Sequence, residues 1–246
     1  MPHFFIDKNS IAESIITISD KENYNHIARS LHAKVGEKLL LIDNEGIQYD
    51  TKIENITSSK IITRIKTSYT SNRMPDINVY LAQVVLKKEA QANVIQKACE
   101  LGVKGIYPLI SDNCIIKKSY ISEKIEKYNK LSYEASKQCE RADIATVYDV
   151  SELKSMLEND NFEHKIACVE KYATCSLKKH LKTVNIAPQD KILVIIGCEG
   201  GFSEAEFSMF KEHNIPMVSL GNLILRADTA VISAISNIMY ELSYEK

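Results

Sequence analysis

The chain has 246 residues, of which 45% are hydrophobic and 26% charged, with 31 Lys+Arg against 32 Asp+Glu and a formal net charge of −1. That length holds one large domain or two modest ones, and the composition excludes disordered and collagen-like chains. The charge balance argues against a protein that coats a polyanion with its whole surface, while leaving local basic patches open.

From Lys34 to Thr70 the chain shows short β-rich runs broken by turn residues. Lys38–Asp43 is followed by Asn44-Glu45-Gly46 and then by Ile47–Ile56, a strand–turn–strand pattern in which Asn and Gly tolerate positive φ. In Lys60–Ser68, Ile61, Thr63, Ile65 and Thr67 alternate with Ile62, Arg64, Lys66 and Ser68, which is strand period with two basic residues on one face. A helical pattern in this half is confined to Tyr24–His32. The first 70 residues read as a small β-barrel or sheet, and Thr70–Asp76 (TSNRMPD) as the linker after it.

After Asp76 strands and helices alternate. Ile77–Leu86 is a mostly apolar strand. Lys88–Leu101 repeats Ala90, Val94, Ala98 and Leu101 at helical spacing, with Gly102 at the C′ position. Strands follow at Gly105–Ile110, Thr146–Val150, Lys165–Val169, Lys191–Ile196 and Pro216–Leu220, with a helix over Ile121–Gln138 and a short one to Glu158 capped by Ser151. Lys191–Ile196 (KILVII) is apolar on both faces, as a central parallel strand requires. Ser203-Glu204-Ala205-Glu206 is a capping box opening a helix to about His213, and Asp228 is placed to cap a last helix to about Tyr244. The alternation predicts a parallel α/β layer architecture.

No apolar run approaches the ~18 residues of a membrane span. The start, MPHFFIDKNS, lacks the basic and apolar segments of a signal peptide. The six cysteines, Cys99, Cys114, Cys139, Cys168, Cys175 and Cys198, form no C-x-x-C pair and no zinc spacing. The expectation is a cytoplasmic protein with reduced thiols, no metal and no membrane contact.

Two segments carry the strongest chemical signal. In Ile195–Phe207 (IIGCEGGFSEAEF) a buried strand ends in Gly197-Cys198-Glu199-Gly200-Gly201 and a capped helix follows. Open α/β sheets bind ligands at the carboxyl ends of their strands. The run lacks the Gly-Lys-Ser/Thr ending of a Walker A loop and the G-x-G-x-x-G of a dinucleotide loop, so spacing alone also allows a tight turn with no ligand. In Ser219–Ala230 (SLGNLILRADTA) the apolar Leu223-Ile224-Leu225 falls in a loop and must be covered, either by protein or by a flat apolar ligand such as adenine. Arg226 next to Asp228 reads equally as a simple ion pair. Two glycine-bearing loops on successive strands favour a joint pocket.

Together these segments resemble the knotted SPOUT-class methyltransferases, and most closely the family that methylates N3 of a uridine in 16S ribosomal RNA. Val94–Pro108 (VIQKACELGVKGIYP), Glu134–Arg141 (EASKQCER) and His26–Gly36 (HIARSLHAKVG) resemble the same family in the same order, so the likeness spans nearly the whole chain. The chain departs from it at three places. Cys198 stands where the family usually has Pro, Ala227-Asp228-Thr229-Ala230 where it has Thr-Glu-Thr-Ala, and His32 where it has Arg.

The resemblance implies a PUA-like β-barrel over residues 1–72 and a SPOUT methyltransferase domain with a C-terminal trefoil knot over residues 73–246. It implies S-adenosyl-L-methionine as cofactor, held by Gly197, Glu199, Gly200 and Gly201 on one side, by Leu220, Gly221, Leu223, Leu225 and Arg226 on another, and by Val169 and Glu170 on a third. Uridine N3–H must lose its proton, so Glu199 is a candidate base, though it reads equally as a structural acceptor against the glycine loop, and Arg141 and Arg226 are the candidate cations for the developing anion. The partners implied are 16S rRNA or the small ribosomal subunit, and a second copy of the chain through the knot and the final helix. That helix carries Ala230, Val231, Ala234, Ile235, Ile238, Met239 and Leu242 on one apolar face, which reads equally as burial in its own core.

RNA binding needs local positive charge. Thr51–Arg73 holds five basic residues against one acidic, Lys87–Arg141 eleven against seven, and Glu199–Lys246 three against seven. With the resemblance, Arg29, Lys34, Lys52, Arg64, Lys66, Arg73, Lys87 and Lys88 are the candidate phosphate contacts. Within the same superfamily a ribose 2′-O-methyltransferase is the alternative, and outside enzymes a non-catalytic RNA-binding assembly factor.

Overall fold

The computed structural model describes residues 3–243. It divides into two compact units, Met1–Met74 with Lys137–Asp143, and Pro75–Ser136 with Ile144–Lys246. The segment Lys137–Asp143 thus packs with the N-terminal unit although it lies far along the chain.

In the first unit the strands are β1 (His3–Ile6), β2 (Ile11–Ala12), β3 (Ile15–Ile18), β4 (Lys38–Asp43), β5 (Ile47–Ile56) and β6 (Ile61–Thr70), in the order β1-β4-β5-β6-β3-β2. Only β1 and β4 pair in parallel. The path runs open from β1 to β2, a half-barrel. Strand alternation sends Phe4, Ile16, Leu41, Ile53 and Ile61 into one buried cluster. The predicted hairpin at Asn44-Glu45-Gly46 forms, and its staple is the residue before it. Buried Asp43 accepts from the backbone N–H of Glu45 and of Ile47, each at 2.9 Å, and from the Tyr49 hydroxyl at 2.8 Å. Burial, together with that carboxylate, pushes the Tyr49 hydroxyl up to about 12. The helical pattern around Tyr24–His32 resolves into one α-turn, α1 (Lys21–Tyr24), capped by Asp20, and a π-helical turn over Asn25–Ser30.

The second unit contains β7 (Asn78–Val84), α2 (Lys88–Glu100), β8 (Gly105–Ile110), α3 (Lys118–Ser122), α4 (Ile125–Gln138), β9 (Thr146–Val147), β10 (Ser151–Glu152), α5 (Leu153–Leu157), β11 (His164–Cys168), β12 (Cys175–Ser176), α6 (Leu177–Thr183), β13 (Lys191–Ile196), α7 (Glu204–Glu212), β14 (Met217–Ser219) and α8 (Ala227–Leu242). Its sheet runs β10-β8-β7-β13-β11-β14-β12, with β9 beside β8, and every pairing is parallel. The fold is therefore the α/β architecture with a parallel sheet that the alternation predicts. β13 is central, with Ile192, Leu193, Val194 and Ile195 at 0% exposure, which is why its sequence lacks alternation.

Several boundaries differ from the sequence reading. The helix expected over Ile121–Gln138 is two helices, broken between Ser122 and Ile125. Ser151 lies in β10, so Glu152 takes the N-cap of α5. Arg226 occupies the N-cap of α8, and Asp228 sits in its first turn, where a carboxylate still complements the helix dipole. Tyr244 lies outside the described residues. Gly102, at φ +93, ends α2 with its N–H on Cys99 O and the Val103 N–H on Ala98 O. The apolar face of α8 is spent mostly inside this unit. Val231, Ala234, Ile235 and Ile238 are fully buried, and Ala230, Met239 and Leu242 pack against the same core. Among the described residues no helix is long and apolar enough to cross a membrane, and no group of three or more His, Cys, Asp or Glu side chains is placed to hold a metal ion. The six cysteines are free thiols.

Candidate functional site

Strands β13, β11 and β14 are neighbours and all parallel, so the loops leaving their carboxyl ends converge on one edge of the sheet. There they surround a cavity of about 440 Å³. Val169, Glu170 and Lys171 line it from the loop after β11. Gly197, Cys198, Glu199, Gly200 and Gly201 line it from the loop after β13. Leu220, Gly221, Asn222, Leu223, Ile224, Leu225 and Arg226 line it from the loop after β14. Every residue that the resemblance placed around a cofactor is on this wall. Phe202 just before α7 and Phe207 within it, Leu86 and Ala90 near the start of α2, and Ala230 of α8 complete it.

The glycine loop is held from beneath by side chains the sequence reading passed over. Gln83, buried in β7, donates from Nε2 to the carbonyl of Gly197 at 3.0 Å. Asn113, in the loop after β8, donates from Nδ2 to the carbonyl of Gly200 at 2.9 Å. That approach leaves little room for a side chain: a Cβ on Gly200 would meet Asn113 Cβ at 3.0 Å and the Asn113 carbonyl oxygen at 3.3 Å, so Asn113 would have to give way. Gly201 has φ +63, where a Cβ is strained whatever the space. The predicted capping box is complete, with Glu206 N–H on Ser203 Oγ and Glu206 Oε2 accepting from Ser203 N–H. Glu206 Oε1 also accepts from Asp112 N–H at 3.0 Å, and the Ser203 hydroxyl donates to the Asp112 carboxylate. One buried carboxylate thus ties α7 to the loop after β8. Burial pushes Glu206 up, against the pull of its backbone donors. The only sequence cue to this bracing was a polar run, Ser111–Asn113, at the end of a predicted strand.

The charged candidates differ in their surroundings. Glu199 is an exposed carboxylate on the cavity wall. The Arg226 side chain is 84% exposed, with Nε 3.7 Å from Asp228 Oδ1, so the ion pair is loose and its guanidinium is largely solvated. Arg141 is not on that wall. It belongs to the Lys137–Asp143 segment of the first unit, 5% exposed, with Nε paired to Asp143 Oδ1 at 2.8 Å. Cys198, at the position of the family's proline, is buried with Sγ 3.5 Å from the Asn113 carbonyl, and burial pushes its thiol up, away from thiolate chemistry.

Of the basic candidates, Arg29, Lys34, Lys52, Lys66 and Arg73 are exposed in the first unit and Lys87 and Lys88 at the start of α2. Arg64 is half-exposed and paired with Glu54, and Arg73 is paired with Glu140. Strand register shows a further member. Lys38 lies opposite Lys52, and Lys52 opposite Arg64, so three cations form a row across β4, β5 and β6.

Comparisons with known proteins agree with this geometry. An RNA methyltransferase domain family matches residues 73–239, and an RNA methyltransferase PUA domain family matches residues 18–66. The chain is 26% identical to the ribosomal RNA small subunit methyltransferase E of Bacillus subtilis, over 98% of this chain and 97% of that one. It is 31% identical to the enzyme of the same name from Mesomycoplasma hyopneumoniae, over 94% and 96%. A Legionella pneumophila methyltransferase solved with bound SAM superposes with a TM-score of 0.84 at 25% identity, covering 97% of this chain and 96% of that one. With both domain families matched in order and full-length relatives of one name, the chain belongs to the ribosomal RNA small subunit methyltransferase E family.

Proposed function

We propose that this protein is an S-adenosyl-L-methionine-dependent methyltransferase of 16S ribosomal RNA that acts at N3 of a uridine. The observation carrying the reading is the cavity where the three loops meet. Its volume lies in the usual range of about 300–1,000 Å³ for small-molecule sites. The residues fit the cofactor. Gly200 lets the loop pack against Asn113 and Gly201 takes the left-handed turn that brings the loop along the cavity wall, and Leu223, Ile224 and Leu225 offer an apolar strip to a flat base.

When bound, the cofactor supplies a methyl group on a sulfonium, whose leaving group is a neutral thioether. The chain supplies alignment and proton handling. Glu199 holds the N3 proton of the uridine as it leaves, and the solvated guanidinium of Arg226 takes up the charge developing at O2 or O4. Arg141, buried and paired with Asp143, is better supported as a structural arginine than as the third catalytic candidate. The cation row Lys38–Lys52–Arg64, with Lys66, fits the rRNA phosphates, and a target base inside folded RNA is flipped out to reach the cavity.

The C-terminal segment is threaded as a trefoil knot, and two copies of the chain pair through the knot and α8. Strand order supports the threading, because the chain passes from β13 over β11 to reach β14. Exposed apolar side chains support the dimer. Leu223 and Ile224 are each 81% exposed and Tyr240 of α8 is 86% exposed.

The test is methyl transfer from labelled cofactor to small ribosomal subunits from a strain lacking the endogenous enzyme, followed by digestion to nucleosides. Label in 3-methyluridine is the expected result. Label on a ribose 2′-oxygen would replace the N3 assignment, and absence of both label and cofactor binding would point to an RNA-binding assembly factor. Sedimentation of the purified chain at twice the monomer mass checks the dimer.

A further inference from the structure

The loop that leaves β11 contains a costly conformation. Tyr172 has φ +60, a left-handed backbone that bulky residues adopt only where the surroundings over-determine it. Burial does not explain the strain, since the residue is 51% exposed. Its side-chain contacts do. The hydroxyl donates to Glu204 Oε1 at 3.0 Å. The ring meets Phe207 edge-on, with centroids 4.9 Å apart and planes at 72°. Lys211 Nζ lies over the ring, 5.5 Å from its centroid.

All three partners stand on α7 at helical spacing, so Tyr172 lies along a single stripe of that helix. α7 starts where the glycine loop ends. Glu170 and Lys171, immediately before Tyr172, line the cavity, and so does Phe207. The left-handed residue is what turns the ring back onto α7 while the two residues before it stay on the cavity wall.

We propose that Tyr172 is a positioning residue for the cofactor: it straps the loop after β11 to α7 and so fixes the third wall of the cavity against the glycine-loop wall. Strain is spent before the cofactor arrives, and binding does not have to order the loop. The inference rests on the cofactor reading above.

The experiment measures S-adenosylhomocysteine affinity by calorimetry and amide exchange across residues 169–173, for the full chain and for Tyr172→Ala, Tyr172→Phe, Glu204→Ala and the Tyr172→Phe/Glu204→Ala double variant. Tyr172→Ala weakens affinity about tenfold and accelerates exchange in the loop. Affinity for small ribosomal subunits stays unchanged, and KM for the methyl donor rises with kcat within about twofold. Tyr172→Phe and Glu204→Ala each weaken affinity about threefold, the scale of one hydrogen bond. The double variant is no worse than either single one, because both remove the same contact.

Unchanged affinity in Tyr172→Ala overturns the proposal. So does an equal loss for both ligands together with a lower Tm, which would make Tyr172 merely structural. Loss of subunit affinity alone overturns it too and makes the ring an RNA platform. If the wild-type chain fails to bind S-adenosylhomocysteine, the cofactor reading falls, and unchanged loop exchange in Tyr172→Ala and Glu204→Ala sinks the strap independently.

Discussion

In the N-terminal unit the cation row Lys38, Lys52 and Arg64 is made of side chains standing on strands, whereas in the C-terminal unit the candidate cofactor contacts are mostly backbone in loops that leave the strands. The first sheet is nearly all antiparallel and has a polar face free to carry cations in register, such as Lys38, Lys52 and Arg64. The second is parallel, and β13 is buried on both faces, so only its carboxyl edge can meet a ligand. The difference suits the proposed division of labour. Phosphates are recognised by charge at long range, and a small cofactor by shape at close range.

Substitutions that damage one unit and spare the other test this division. The largest effects are expected in the cores. Leu81→Ala in β7 and Leu41→Ala in β4, both fully buried, should each cost about 3 kcal/mol in urea unfolding. Of the two, Leu81→Ala alone should also weaken S-adenosylhomocysteine. Gly200→Val comes next. Its side chain would press on Asn113, which approaches to 3.0 Å. Such overpacking costs about 1–3 kcal/mol, and calorimetry should show cofactor affinity lower by about 30-fold, the equivalent of about 2 kcal/mol. Subunit binding should be intact. If both affinities fell together, the separation of roles would fail.

Smaller effects sharpen the contrast from the other side. Lys52→Ala should weaken binding to small subunits several-fold at low salt and flatten the salt dependence by a slope of about one, leaving cofactor affinity as it was. The smallest effect concerns pH. Burial first, and then the nearby Lys137 and Arg73 cations, hold His3 below its ordinary range near 6.5. The folded unit therefore refuses a proton that the unfolded chain accepts as pH falls through 6.5. The stability of the N-terminal unit is full above that value and declines below it. Unfolding of His3→Gln followed from pH 7 to 5 should show a flatter decline than the wild type.

Much of this was legible in the residues. Lys38–Asp43, Ile47–Ile56, Gly105–Ile110 and Lys191–Ile196 are strands over the residues read from them, because turn chemistry and hydrophobic runs mark both ends. The capping box at Ser203 is likewise local. What escaped depends on distant partners. β1 needs β4 beside it, and nothing within His3–Ile6 announces that pairing. The helix read over Ile121–Gln138 gives no sign that the segment at its end, Lys137–Asp143, packs with the N-terminal unit. At the site, the cavity-lining glycines carry a pattern, whereas the residues that brace them, Gln83, Asp112 and Asn113, are ordinary polar residues until the loops meet. Tyr172 has no local signal at all, since the partners of its side chain all stand on α7.

The position of β13 also bears on how the chain reaches this state. Its partners on either side, β7 and β11, are both made earlier, and its register with β7 joins Lys191 to Asn78. Until Lys191–Ile196 arrives, β7 and β11 each present an edge of unpaired backbone N–H and C=O groups between apolar faces. Non-local parallel pairing of this kind is slow and exposed to aggregation. Refolding of the C-terminal unit should therefore lag behind that of the hairpin-built N-terminal sheet, and yield should fall as protein concentration rises.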